Sequence, residues 1–168
     1  ARLADRRIAT FRYQFPYIEH GHRRPDYPPI LLKTVRSAVS AASAISDGLP
    51  LFAGGKSMGG RMTSLAAAKK PLADVRGTVF FGFPLHPVQK PGIERSDHLK
   101  EAGVPLLFLQ GTRDKLAQLD LLEPVCQDLA QGATLHLVEG ADHGFHVLRR
   151  SGRTDDDVQD ELADTTRT

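Results

Sequence analysis

The sequence lacks most of the features that mark secreted, membrane or nucleic-acid-binding proteins. It contains one cysteine, Cys126, in 168 residues, so no internal disulfide can form and a reducing compartment is expected. No stretch approaches the ~20 apolar residues of a membrane span, and the first residues have no apolar signal-peptide core. The formal net charge of +2 is too small to predict a nucleic-acid surface. We therefore expect a cytoplasmic protein with neither a nucleic-acid nor a membrane partner.

Apolar runs of strand length alternate with segments of helical periodicity, and the length suits one domain over residues 1–168. The predicted strands are residues 8–13, 51–53, 78–83, 105–109 and 134–138. The predicted helices are residues 31–45, 61–70, 96–102, 119–129 and, more weakly, 155–168. This alternation predicts an α/β fold, a three-layer sandwich around a mostly parallel sheet.

The strongest chemical signal is the G-x-S-x-G pattern formed by Gly55, Ser57 and Gly59. It follows a predicted strand and precedes a predicted helix, which is the context of a nucleophile elbow. In an elbow the serine occupies a strained backbone conformation, and we expect Gly55 and Gly59 to be glycine because a side chain there would clash. The alternative is a glycine-rich turn in which Ser57 only caps the helix.

A serine hydroxyl needs a base and an orienting acid to act as a nucleophile. Asp114 follows the strand at 105–109, and His143 follows the strand at 134–138. Because the carboxyl ends of parallel strands share one edge of a sheet, we expect Ser57, Asp114 and His143 to meet there as a catalytic triad. Asp142 is a competing acid, but its position next to His143 makes the required backfolding awkward.

No cofactor or metal is predicted. His20 and His22 form a possible metal pair, but only Glu19 and Asp26 lie near them as further ligands. His86, Arg95 and His98 either line a substrate pocket or lie on the surface, and we favour the surface. The expected partner is therefore a small-molecule substrate.

The motifs taken together resemble the α/β-hydrolase superfamily, and within it the small branch similar to dienelactone hydrolases. The resemblance rests on FPY at 15–17, GKSMGGR at 55–61, FPLHP at 83–87, QGTRD at 110–114 and DHGF at 142–145. It implies that the backbone N–H of Met58 holds the oxyanion. Dienelactone hydrolases use a cysteine nucleophile, so Ser57 points instead to hydrolysis of a carboxylic ester or thioester.

The chain departs from that family pattern in having no counterpart of an inner strand whose following loop gives the second oxyanion N–H. The counterpart would lie between the strands at 8–13 and 51–53, and both outer helices also look truncated. We expect either a fragment of a longer gene product or a rearranged sheet in which these two strands pair. Exposed edges predict a homo-oligomer, and half an oxyanion hole predicts activity reduced about 10²- to 10³-fold. The alternative function is a non-catalytic interaction module on the same scaffold.

Overall fold

The computed structural model describes residues 2–129 and 132–167. Its helices are α1 (Arg2–Asp5), α2 (Pro16–Glu19), α3 (Pro28–Ile45), α4 (Met58–Lys69), α5 (Leu119–Asp128) and α6 (Asp155–Arg167). Its strands are β1 (Leu51–Lys56), β2 (Val75–Phe81), β3 (Leu106–Gly111) and β4 (Ala133–Val138). Two 3₁₀ helices, Glu94–Glu101 and Arg149–Ser151, complete the described elements.

The four strands form one parallel sheet in the order β1-β2-β3-β4. The apolar runs predicted this arrangement, because strands covered on both faces read as nearly continuous hydrophobic segments. Each of the three connections between consecutive strands is a crossover that returns the chain to the same end of the sheet. All four carboxyl ends therefore lie along one edge, where ligand sites of such sheets form.

Helices cover both faces of the sheet, which gives the predicted three layers. On one face, Phe80 and Phe108 pack with Leu122 of α5, and Met62 and Ala66 of α4 pack with α3. On the other face, Val158 and Leu162 of α6 pack against Leu109 and Val138. Arg2 of α1 and Arg6, the residue directly after α1, form ion pairs with Asp156, Asp160 and Asp164 of α6.

The strand predicted at residues 8–13 is wrong: this segment has no assigned secondary structure and pairs with no strand of the described chain. Its first amide is already used, because Ile8 N donates to Leu3 O at 3.0 Å and Arg7 adopts φ 61° in the turn that ends α1. Branched and aromatic residues favour a strand only where a neighbouring strand accepts their hydrogen bonds. The rearranged sheet is wrong for the same reason, since β1 pairs with β2 alone.

The outer edge of β1 is consequently unpaired within the described residues. Phe52, whose side chain points to the face that α6 covers farther along the sheet, is 59% exposed. Among residues 2–129 and 132–167, no helix combines the length and apolarity needed to cross a membrane.

Candidate active site

Ser57 stands between β1 and α4 in a backbone conformation that residues with a side chain rarely adopt, with φ 51° and ψ −120°. Its amide donates to Phe81 O at 3.1 Å, which ties the turn to the end of β2. The hydroxyl makes no capping hydrogen bond to α4, so the helix-cap alternative is wrong. The strained turn instead directs the Ser57 hydroxyl toward the carboxyl edge of the sheet.

His143 contacts both predicted partners. Its Nε2 lies 2.8 Å from Ser57 Oγ, and its Nδ1 lies 2.6 Å from Asp114 Oδ2. An ionised carboxylate can only accept, so Nδ1–H donates to Asp114 and leaves the Nε2 lone pair to accept the Ser57 proton. The structure thus brings together the three residues in the arrangement that a serine nucleophile requires.

Asp114 is held by more than the imidazole. Its side chain is fully buried, Oδ1 accepts from Leu116 N at 2.7 Å, and Oδ2 also accepts from Gln110 Nε2 at 2.5 Å. Gln110, itself fully buried, uses Oε1 to accept from Phe83 N at 2.9 Å. The sequence analysis did not assign Gln110 this role. A polar amide near the end of an otherwise apolar strand was an available signal, because a buried polar group needs hydrogen-bond partners.

The glycines of the elbow only partly follow the motif. A Cβ on Gly55 would lie 3.0 Å from Gly60 N and 3.1 Å from Gly59 C, so Gly55 is required. A Cβ on Gly59 would meet nothing within 4 Å, and the clash predicted there is wrong. The close approach belongs to Gly60, whose Cβ would lie 2.7 Å from Gly55 O and 2.9 Å from Phe80 Cδ1. The helix rotation after Ser57 turns Gly60, and not Gly59, toward the strand.

Met58 is the first residue of α4, and its N–H finds no acceptor within the described part of the chain. The first amides of a helix have no intrahelical partner and carry its positive end. The Met58 amide is therefore available to a developing negative charge beside Ser57.

The two histidines considered as pocket or surface residues, His86 and His98, differ in how deeply they are buried. His86 is buried, with Nδ1 2.9 Å from Pro87 O and Nε2 accepting from Gln118 N at 3.1 Å, so its placement on the surface is wrong. His98 is half-buried against Ser64 Oγ at 2.8 Å, and burial lowers its pKa to about 4. His143 Nδ1 contacts Asp114 and not Asp142.

Asp142 instead shapes the loop that carries His143. Its Oδ1 accepts from Gly144 N at 2.8 Å and from His146 N at 3.0 Å. Because both bonds fold the side chain over its own loop, Asp142 fixes the path of the chain beyond His143.

A cleft of about 490 Å³ opens beside Asp114. Its walls are formed by Val88, Thr112, Asp114, Lys115, Gln118, Leu119 and Asp120. Neither Ser57 nor His143 lines this cleft, so it is not the space above the Ser57 hydroxyl. The rings of His20 and His22 lie 5.9 Å apart on the surface, and the described residues contain no cluster of three or more metal-ligating side chains.

A parallel sheet, a strained serine after one strand, and an imidazole and a carboxylate after two others define an α/β hydrolase. The model of the alpha/beta hydrolase domain family matches residues 1–168, and the chain belongs to that family.

Solved structures show the same fold at low sequence identity. A protein of unknown function from Agrobacterium tumefaciens is 19% identical with a TM-score of 0.69, over 98% of this chain and 72% of that one. An alpha-beta serine hydrolase homologue from Coxiella burnetii is 16% identical with a TM-score of 0.64, over 86% of this chain and 62% of that one. The esterase domain of a Rhodothermus marinus protein is 18% identical with a TM-score of 0.57, over 81% and 67% respectively. The chain thus spans about two thirds of the length of these structures.

Proposed function

We propose that the chain is a serine hydrolase that cleaves a carboxylic ester or thioester through Ser57, His143 and Asp114. Ser57 Oγ attacks the carbonyl carbon while His143 Nε2 takes its proton. The tetrahedral intermediate collapses as His143 gives that proton to the leaving oxygen or sulfur, which leaves an acyl-enzyme on Ser57. A water molecule, deprotonated by His143, then releases the carboxylic acid and restores the serine.

The observation that carries the proposal is the unbroken contact from Ser57 Oγ to His143 Nε2 and from His143 Nδ1 to Asp114 Oδ2, at 2.8 and 2.6 Å. The three residues come from loops after three different strands, and Ser57 adopts a strained backbone conformation at this site. The free Met58 amide supports the reading, since it can bind the oxyanion of the intermediate. The esterase and serine hydrolase named among the similar structures support the same reaction class.

The experiment compares wild type, Ser57→Ala and the exposed control Ser40→Ala on p-nitrophenyl acetate and with a fluorophosphonate probe. We expect wild type and Ser40→Ala to hydrolyse the ester and to be labelled, and Ser57→Ala to do neither. Activity that survives in Ser57→Ala, or a wild type that is neither active nor labelled, refutes the proposal.

The unpaired edge of β1 and exposed Phe52 support a second candidate, a non-catalytic interaction module. They equally support the proposed homo-oligomer, and the lone buried cysteine fits the proposed cytoplasmic location. Inactive wild type that forms a defined oligomer by light scattering would select the interaction module. A monomer at micromolar concentration would count against oligomerisation.

A further inference from the structure

Lys56, the residue directly before Ser57, contacts the loop that carries His143. Its Nζ donates a hydrogen bond to the backbone carbonyl of His143. The same ammonium stands over the Phe145 ring, 4.8 Å from the ring centroid. A side chain at the end of β1 thus contacts the loop after β4, although β2 and β3 lie between these two strands in the sheet.

Gly82, the residue after β2, leaves the space in which this contact forms. A Cβ on Gly82 would lie 3.2 Å from Lys56 Nζ, 3.4 Å from His143 Nδ1 and 3.4 Å from His143 Cε1. The ammonium and the imidazole therefore share one small volume above Gly82, whose φ of 73° is a left-handed value that favours glycine.

Lys56 is an exposed residue, and only its ammonium is partly desolvated. Burial lowers the pKa of Lys56, while the charges of Asp114 and Asp142 act in the opposite direction. The residue forms no ion pair within the described residues, so its charge is compensated by a carbonyl, a ring face and more distant carboxylates.

We propose that Lys56 is a positioning residue that holds His143 in line with Ser57 by fixing the backbone of the His143 loop. The inference rests on the proposed function for its kinetic readout. Asp114 restrains the imidazole through Nδ1, but a ring can still tilt about that bond if its backbone moves. Lys56 restrains the backbone and belongs to the same strand end as the nucleophile, so nucleophile and base move together.

The test compares Lys56→Met with Lys56→Arg and with the exposed control Lys100→Met. Methionine keeps the length of the stem but cannot donate, whereas arginine keeps a donor and the charge. Because displacement of a catalytic group by about 1 Å costs on the order of 10²-fold in rate, we expect Lys56→Met to lower kcat by about 10- to 100-fold. KM should change less than about threefold, since the group does not bind substrate. Lys56→Arg should recover most of kcat, and Lys100→Met should equal wild type.

A readout independent of turnover is the low-field NMR signal of the His143 Nδ1–H that is bonded to Asp114. We expect this signal in wild type and Lys56→Arg, and its broadening or loss in Lys56→Met while the far-UV circular dichroism stays unchanged. An unchanged signal and kcat in Lys56→Met would overturn the inference but leave the proposed function intact. Conversely, an inactive, unlabelled wild type with a signal that depends on Lys56 would refute the hydrolase and retain the positioning role.

Should Lys56→Met fail to fold, Lys56→Gln provides the second variant, because it also removes the charge and shortens the reach. It is expected to show the same loss of kcat and of the NMR signal. Unfolding of both variants would overturn the inference, since Lys56 would then stabilise the whole fold and not the position of one side chain.

Discussion

The close approach of Gly55 and Gly60 can be tested with two neighbouring alanine substitutions. Gly59→Ala and Gly60→Ala make the same chemical change in the first turn of α4, so the helix-propensity gain of about 0.5–1 kcal/mol is common to both. At Gly59 the new methyl meets nothing within 4 Å, whereas at Gly60 it would lie 2.7 Å from Gly55 O and 2.9 Å from the Phe80 ring.

Forcing a methyl into a packed site costs about 1–3 kcal/mol. Gly59→Ala should therefore be as stable as wild type or slightly more stable, and Gly60→Ala should be about 1–3 kcal/mol less stable than Gly59→Ala. For a domain of this size, a difference of 1 kcal/mol shifts Tm by about 2–4 °C. Differential scanning calorimetry should thus separate the two variants by about 2–12 °C.

The hydrolysis rate offers a second measurement on the same pair. Gly60→Ala should lower kcat as well, because Gly55 and Ser57 share the displaced turn. Equal Tm values for the two variants, or a lower Tm for Gly59→Ala, would refute the assignment of the close approach to Gly60.

Three further predictions concern single side chains. Asp114→Asn should lower kcat on the order of 10³- to 10⁴-fold, because three donors converge on that carboxylate. Asp142→Asn can keep its Oδ1 contacts and should retain activity. Equal losses of kcat in the two variants would contradict the assignment of Asp114 as the partner of His143. The pKa of His98 is about 4 when folded against 6.5 otherwise, so the unfolded chain binds more protons between these values and stability falls as pH drops from 6.5 to 4. Solvent screening reduces the expected loss in the free energy of unfolding to about 1–2 kcal/mol. Denaturant titrations of His98→Gln should therefore show a free energy of unfolding that depends less on pH than that of wild type. An identical pH dependence in the two proteins would contradict the lowered pKa of His98. Burial raises the pKa of Cys126 from 9.0 to about 11, which lowers the thiolate fraction at pH 8 about 100-fold. Native protein should therefore react with a thiol reagent at least about 100-fold more slowly than unfolded protein. Equal reaction rates would contradict the burial of Cys126.

The sequence predicted the parallel sheet and the meeting of Ser57, Asp114 and His143. Both follow from local sequence patterns and from the rule that the carboxyl ends of parallel strands lie at one edge of the sheet. Apolar runs located the strands, and the rule placed whatever follows them at one edge. It failed at residues 8–13, where strand-forming residues have no neighbour to pair with, which no local pattern reports.

The remaining details depend on how finished elements fit together. The motif assigns the steric role to Gly59, but the rotation of α4 over β1 gives it to Gly60. Gln110 and Lys56 look like ordinary strand residues until the loops above them are in place. Their roles come from contacts between segments far apart in sequence, and spacing along the chain carries no information on these.

The parallel order of the strands also has a consequence for synthesis. Ser57 and His143 are 86 residues apart, and β2, β3 and β4 all lie between them in the chain. On a ribosome, the serine therefore leaves the exit tunnel long before its base and remains an unreactive alcohol in the meantime. Under the proposed function, Ser57 gains its base only once β4 and the loop after it are in place, so a chain interrupted before His143 carries no activated serine.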